Sequence, residues 1–211
     1  MASTYTALGV ELMATGENAG TWGTKTNTNL NIIEQISGGY TTQAVGDSGT
    51  PTALTVSDGS TGAAMSHRMI ELTGSITGAR VVTIPLDAQT FYFLRNSTSG
   101  AYTVQFKYAS GSGDTVTWTA TDKGTKIIYA TANDGTNPDI VDVMATSSEI
   151  SLANNNPIKF KDADNSAFVG IDSPSTVSGS YTITLPAAVA GGADYALTSS
   201  DGSGNTQWTA T

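Results

Sequence analysis

The chain lacks several residue types on which chemistry commonly depends. It contains no cysteine, which excludes disulfide bridges and any metal or catalytic site built on a thiolate. Basic residues are scarce, with nine Lys and Arg against 18 Asp and Glu and a net charge of −9. Nucleic-acid binding needs clustered cations to neutralise phosphates. We therefore expect no nucleic-acid partner and no affinity for anionic membrane surfaces.

Long apolar runs are missing too. No stretch approaches the ~20 consecutive apolar residues of a membrane-spanning helix. The first residues, MASTYTALGVELMATG, lack the basic start and the long apolar core of a signal peptide. We expect no membrane insertion, and synthesis in the cytoplasm.

The hydrophobic share is low, at 38%. Soluble domains usually reach roughly 45–50% on a count that includes Gly. A monomer of this size would have a thin core, and copies of the chain that share a core would remedy this. Composition therefore predicts an obligate oligomer.

Thr, Gly and Ser are abundant, and only 13% of the residues are charged. Thr is β-branched and suits a pleated strand, whereas Gly and Ser supply turns. Short strands separated by turn sequences such as NSTSG and NDGTNP predict a β-sandwich-like or barrel-like domain over 41–146. Its expected strands are 53–56, 68–74, 80–86, 89–96, 101–108, 114–120, 125–131 and 139–145.

The N-terminal segment 1–40 has a different pattern. Apolar residues at period two predict a strand within 4–14. A loop follows in which Gly16, Gly20 and Gly23 surround Trp22. A short helix is then expected over 29–37, capped at its start by Asn27 or Thr28 and ended by Gly38 and Gly39. Three apolar residues are predicted to share one face of that helix: Leu30, Ile33 and Ile36.

The C-terminal segment 147–211 is expected to form a β-rich stalk or tip. Its predicted strands, 157–162, 167–172, 180–186 and 193–200, are short and separated by small residues. They hold too few apolar residues for a compact core of their own. We expect them to complete a core with other copies of the chain.

Two groups of residues raise the question of catalysis. His67 is the only histidine, and Ser66 is adjacent to it. Adjacent residues on a strand point to opposite faces, so a surface or interface histidine is the favoured interpretation. Asp139 and Asp142 are candidate paired carboxylates for glycoside hydrolysis, but their spacing also places them on opposite faces. We expect no enzyme activity. Three further acidic residues are predicted to form turns: Asp114, Asp122 and Asp134.

Ligand sites are equally poorly supported. The run DADN, 162–165, brings oxygen ligands together as a Ca²⁺ site would, but the Gly and Glu of an EF-hand loop are missing, so a hairpin turn is favoured. No metal and no cofactor are predicted. The aromatic residues are expected in the core, with sugar stacking as the alternative for an exposed one: Phe91, Tyr92, Phe93, Tyr102, Phe106, Tyr108 and Trp118.

One motif carries a resemblance to a known family. The stretch TGENAGTWGTKTNTNLNIIEQISGGYTTQAV resembles an N-terminal module of fibre-like structural proteins of tailed bacteriophages, particularly phages of marine bacteria. The stretch IELTGSITGARVVTIPLDAQTFYFLRNSTSGAYTVQFK looks like the β-domain that accompanies it. The C-terminal TITLPAA and DYALTSSDGSGNTQW are similar to a cassette of phage fibre stalks and tips.

This resemblance implies a virion protein, a homotrimer held to the particle through its N-terminal part. A trimeric tail fibre that contacts the host, including a host surface glycan, is the favoured function. A capsid decoration or head-fibre protein is one alternative, and a carbohydrate-binding adhesin module is another. Trp22 framed by glycines, together with Leu30, Ile33 and Ile36, is predicted to dock on the virion or on neighbouring copies.

Overall fold

The computed structural model describes residues 2–121, 123–147, 157–162, 166–201, 203 and 205–211. The chain divides into two compact units, Met1–Ser148 and Glu149–Thr211. The segments 1–40 and 41–146 both lie in the first unit. Strands predominate, and a single α-helix occurs among the described residues, so the predicted all-β class is confirmed.

The chain begins with a small hairpin. Strand β1, Thr4–Tyr5, pairs antiparallel with β2, Glu11–Leu12. The turn between them includes Gly9 at a positive φ of 83°. The strand-like segment predicted within 4–14 thus contains two short strands, and the period-two pattern spans the turn between them.

Helix α1 spans Trp22–Gly38, 17 residues, and is much longer than predicted. Trp22 is its first residue rather than part of a preceding loop, and Thr21 rather than Asn27 or Thr28 is the N-cap. The Thr and Asn residues that follow Trp22 have low helix propensity, which packing against the hairpin overrides. The predicted end is confirmed, since the helix stops at Gly38 and the Gly39 N–H donates to the Gln35 carbonyl at 2.8 Å.

Two sheets make up most of the first unit. The strands are β3 Tyr40–Ala44, β4 Thr52–Ala53, β5 Met69–Thr73, β6 Arg80–Ile84, β7 Thr90–Asn96, β8 Val104–Tyr108, β9 Val116–Trp118, β10 Thr125–Ala130 and β11 Ile140–Asp142. A five-stranded sheet has the order β11-β10-β7-β5-β3, and a four-stranded sheet has the order β4-β6-β8-β9.

From β3 to β8 the chain alternates between the two sheets. Neighbouring strands of one sheet are therefore parallel: β3 with β5, β5 with β7, β4 with β6, and β6 with β8. The later pairs, β8 with β9, β7 with β10 and β10 with β11, are antiparallel.

The core lies between these sheets. Its largest side chains are Trp118, Tyr92 and Phe106, all fully buried. The polar atoms of the two residues that carry one both have hydrogen-bond partners. The Trp118 indole N–H donates to the Gly124 carbonyl at 2.9 Å, and the Tyr92 hydroxyl donates to the Met65 carbonyl at 3.2 Å. Alternation of apolar and polar residues along each strand is the pattern expected when one face is buried.

The second unit consists of two hairpins in its described part. Strand β12, Ile158–Lys161, pairs with β13, Phe168–Ile171, and β14, Tyr195–Ser199, pairs with β15, Thr206–Ala210. The strand predicted over 180–186 is wrong, because only a single bridge joins Thr184 to Asn205. No described residue from 157 to 211 is buried.

Within the described residues, no helix has the length and the apolar content to cross a membrane.

Candidate attachment site

The N-terminal hairpin is fastened to helix α1 by one asparagine side chain. The Asn29 amide accepts the Glu11 N–H through Oδ1 at 2.9 Å and donates through Nδ2 to the Glu11 carbonyl at 2.9 Å. The Asn29 side chain thus binds the N–H and the carbonyl of Glu11 as the backbone of a neighbouring strand would. Buried backbone groups need such partners, because an unpaired one is costly.

The Glu11 carboxylate completes this contact. Glu11 is only 5% exposed, and its carboxylate accepts a hydrogen bond from Asn18 Nδ2 at 3.2 Å and pairs with Lys25 Nζ at 3.0 Å. The bond from Lys25 outweighs the effect of burial and holds the pKa of the Glu11 carboxyl below its ordinary value. Glu11 in turn raises the pKa of the Lys25 ammonium. We call Glu11, Asn18, Lys25 and Asn29 the clamp.

The glycines before the helix have a geometric role. Gly16 and Gly20 both have φ of 81°, and Asn18 has φ of 63°. Positive φ is easy for Gly and tolerated by Asn, and it strains other residues. This loop turns the chain so that Asn18 reaches Glu11 and the helix begins directly at Trp22.

Three large apolar residues of helix α1 lie exposed on one side. Trp22 is 64% exposed, Leu30 57% and Ile33 47%. With 3.6 residues per turn, these positions fall within one quadrant of the helix surface. We call Trp22, Leu30 and Ile33 the helix stripe.

Helix α1 packs on its own protomer through a residue that is not part of the helix stripe. Ile32 is fully buried, whereas Ile36 is half-buried and lies toward the protomer side. Three of the four predicted site residues are therefore exposed together, whereas Ile36 is half-buried.

His67 lies near the C-terminal end of helix α1 and is buried. Of the predicted surface or interface histidine, the surface position is therefore wrong. Its Nδ1 is 2.8 Å from the Ala63 carbonyl, and its Nε2 is 3.1 Å from Gln35 Nε2. A carbonyl only accepts and an amide nitrogen only donates, so these two contacts fit the tautomer with the proton on Nδ1. Ser66 Oγ donates instead to the Leu8 carbonyl at 3.2 Å, so the two residues form no nucleophile–base pair.

The described acidic residues considered for catalysis or turns each have a partner of their own and do not form a carboxylate pair. Asp142 pairs with Lys126 at 2.9 Å, and Asp139 accepts the Asp114 N–H at 2.8 Å. Asp134 accepts the N–H of Thr136 at 2.6 Å, as a turn-forming Asp does.

The predicted turn at Asp122 and the candidate calcium site at 162–165 fall wholly or partly outside the described residues. Asp122 and 163–165 lie outside the described residues, so the turn at Asp122 and most of the DADN run are not placed. Asp162 accepts the Ala167 N–H at 3.1 Å. In the described part of the chain, no group of three or more His, Asp or Glu side chains could hold a metal ion.

The aromatic residues divide by position. Those on inward strand positions are buried as predicted: Tyr92, Phe106, Tyr108 and Trp118. Phe91 and Phe93 are half-buried on the outward side, and Tyr102 is 41% exposed. The sequence interpretation missed Glu11 and Asn29, because a polar side chain that pairs with a distant backbone leaves no periodic signal.

Comparisons with protein-family models, with curated proteins and with solved structures gave no match.

Proposed function

We propose that this chain is a structural protein of a tailed-bacteriophage virion, a trimeric tail fibre or its particle-proximal part, held to the particle through residues 1–40. The resemblance of the N-terminal motif supports the class of protein. The observation that carries the attachment role is the helix stripe, Trp22, Leu30 and Ile33, which is apolar and exposed on a helix that packs on its own protomer through Ile32.

The other motif residues support this assignment because they already make contacts or shape a turn within the protomer. Asn18, Lys25 and Asn29 are engaged with Glu11, and Gly16 and Gly20 shape the turn. Trp22 belongs to the same motif, yet nearly two thirds of its surface faces solvent. Because exposed Trp side chains are frequent anchors at protein interfaces, we assign Trp22 the contact with the virion partner.

The trimer is supported by the second unit. Two-stranded hairpins are marginally stable alone. The described residues of this unit leave apolar side chains such as Val169, 73% exposed, and Leu185, 67% exposed, in solvent. Packing of three copies would cover them and would present the distal end outward.

The test compares two aromatic-to-alanine variants in assembled particles. Trp22→Ala should weaken attachment by about 2 kcal/mol or more, roughly thirtyfold in affinity. Purified particles should then lack this protein, while the free protein keeps its oligomeric state by light scattering. Tyr102→Ala removes a ring that is also exposed but lies outside the helix stripe, and it should be incorporated normally.

Normal incorporation of Trp22→Ala would refute the attachment role of the helix stripe. If removal of 150–211 abolished attachment instead, the polarity would be the reverse of the one proposed.

A further inference from the structure

The outer face of the five-stranded sheet carries an apolar row that the core does not use. By register, Tyr40 lies beside Met69, Met69 beside Phe93, and Phe93 beside Ile127. Directly opposed residues of neighbouring strands point to the same side. Tyr40 is 57% exposed and Met69 44%, while Phe93 and Ile127 are half-buried. We call these four residues the sheet row.

We propose that the sheet row is the surface through which the first units of separate copies of this chain contact one another. This inference rests on the proposed self-assembly but not on attachment to a virion. It concerns a face distinct from the helix stripe.

The charges on this face allow a second copy of the chain to approach it. The chain carries −9 overall, so two copies repel each other across most surfaces. The outward positions of β3, β5, β7 and β10 hold one carboxylate, Glu71, and one guanidinium, Arg95, whose Nε–Oε1 distance is 3.7 Å. The Arg68 guanidinium also lies 5.7 Å from the centroid of the outward-facing Phe91 ring. This face therefore carries no excess of negative charge, and two copies can meet through it without that repulsion.

The polar groups beside the sheet row argue against a sugar as occupant. The Tyr40 hydroxyl donates to one oxygen of Glu71, and Ser97 Oγ donates to the other at 2.5 Å. The bond from Ser97, followed by that from Tyr40, holds the pKa of the Glu71 carboxyl below its ordinary value. The carboxylate that could bind saccharide hydroxyls is thus already engaged. Tyr, Met, Phe and Arg are also the residues enriched at protein–protein interfaces.

The sheet row is too small to hold two copies together by itself, so it must act together with a second contact between the copies. An aromatic side chain buries ~200 Å² when fully covered, so these exposed fractions amount to roughly 300 Å² of surface per copy. A stable interface needs about 800 Å² from each partner. The second unit, whose large apolar side chains are exposed throughout its described part, would hold the copies together and raise the effective concentration at the sheet row.

The absence of cysteine makes this inference directly testable in the full chain. Met69→Cys places a unique thiol on the sheet row. Thr117→Cys places one on exposed strand β9 of the other sheet as a matched control. We expect iodoacetamide to modify Cys at position 69 at least tenfold more slowly than at 117 in the native protein, and equally fast in urea. A bis-maleimide should link chains through position 69 and not through 117.

Three other outcomes would overturn the inference. Light scattering that shows an oligomer, with equal rates at both positions, would refute the sheet row and leave the proposed assembly intact. A monomer at all concentrations would refute both. Protection of position 69 in a monomer by added cell-surface oligosaccharide would show a sugar site in place of a second copy.

Discussion

Removal of the Asn29 amide should open the N-terminal hairpin without unfolding the sheets. Asn29→Ala deletes both hydrogen bonds to the backbone of Glu11, each 2.9 Å long. A hydrogen bond contributes about 0.5–1.5 kcal/mol net, and burial of the orphaned groups adds to the loss. We expect about 2 kcal/mol in local stability, which corresponds to roughly a thirtyfold change in the opening equilibrium.

Native-state hydrogen exchange measures this directly, because the Glu11 amide exchanges when the clamp opens. Its exchange should be about thirtyfold faster in Asn29→Ala. Asn27→Ala is the matched control, since Asn27 is exposed on the same helix and the change in helix propensity is the same. Asn29→Asp should be no better than alanine, because it turns an oxygen toward the Glu11 carbonyl. Unchanged exchange in Asn29→Ala, or equal acceleration in Asn27→Ala, would refute the role of the amide.

Three further changes test other parts of the fold. The lowered pKa of the Glu11 carboxyl adds stability above its ordinary value of 4.5 that is lost as pH falls below it. The melting temperature should therefore drop as pH falls from about 5 to about 3, and less in Glu11→Gln. Gly100→Ala should destabilise by more than about 1–2 kcal/mol in urea unfolding, because φ is 95° and the new Cβ would lie 2.3 Å from the Ile76 carbonyl oxygen. Gly135→Ala, which meets nothing within 4 Å, should be neutral in the same measurement. Phe106→Ala should cost about 3–5 kcal/mol by calorimetry, because it empties a fully buried position.

The strands of the core could be predicted from the sequence because each has one buried face. The predicted strand 80–86 contains β6, in which Val82 and Ile84 are both buried. The parallel pairing of β3, β5 and β7 could not be predicted, since strand spacing does not reveal that the chain alternates between two sheets.

The candidate site was predicted only in part. Docking was predicted for Trp22, Leu30, Ile33 and Ile36, of which the first three are exposed and Ile36 is half-buried. The helix start at Trp22 was not predicted. Asn29 has the low helix propensity of any asparagine, and only its partner Glu11, in the preceding hairpin, explains its place in a helix. A contact between residues far apart in the sequence leaves no local pattern from which it can be read.

Labelling of the two ends of the chain in intact particles tests both the proposed presence in the virion and the proposed polarity of attachment. A gold label on Thr211 and a separate label near residue 2 would each be imaged by electron microscopy on purified virions. Both labels should decorate the particle, with the N-terminal label at the particle surface and the Thr211 label farther out. Particles without either label, or with Thr211 against the particle and the N-terminus outward, would contradict the proposed attachment.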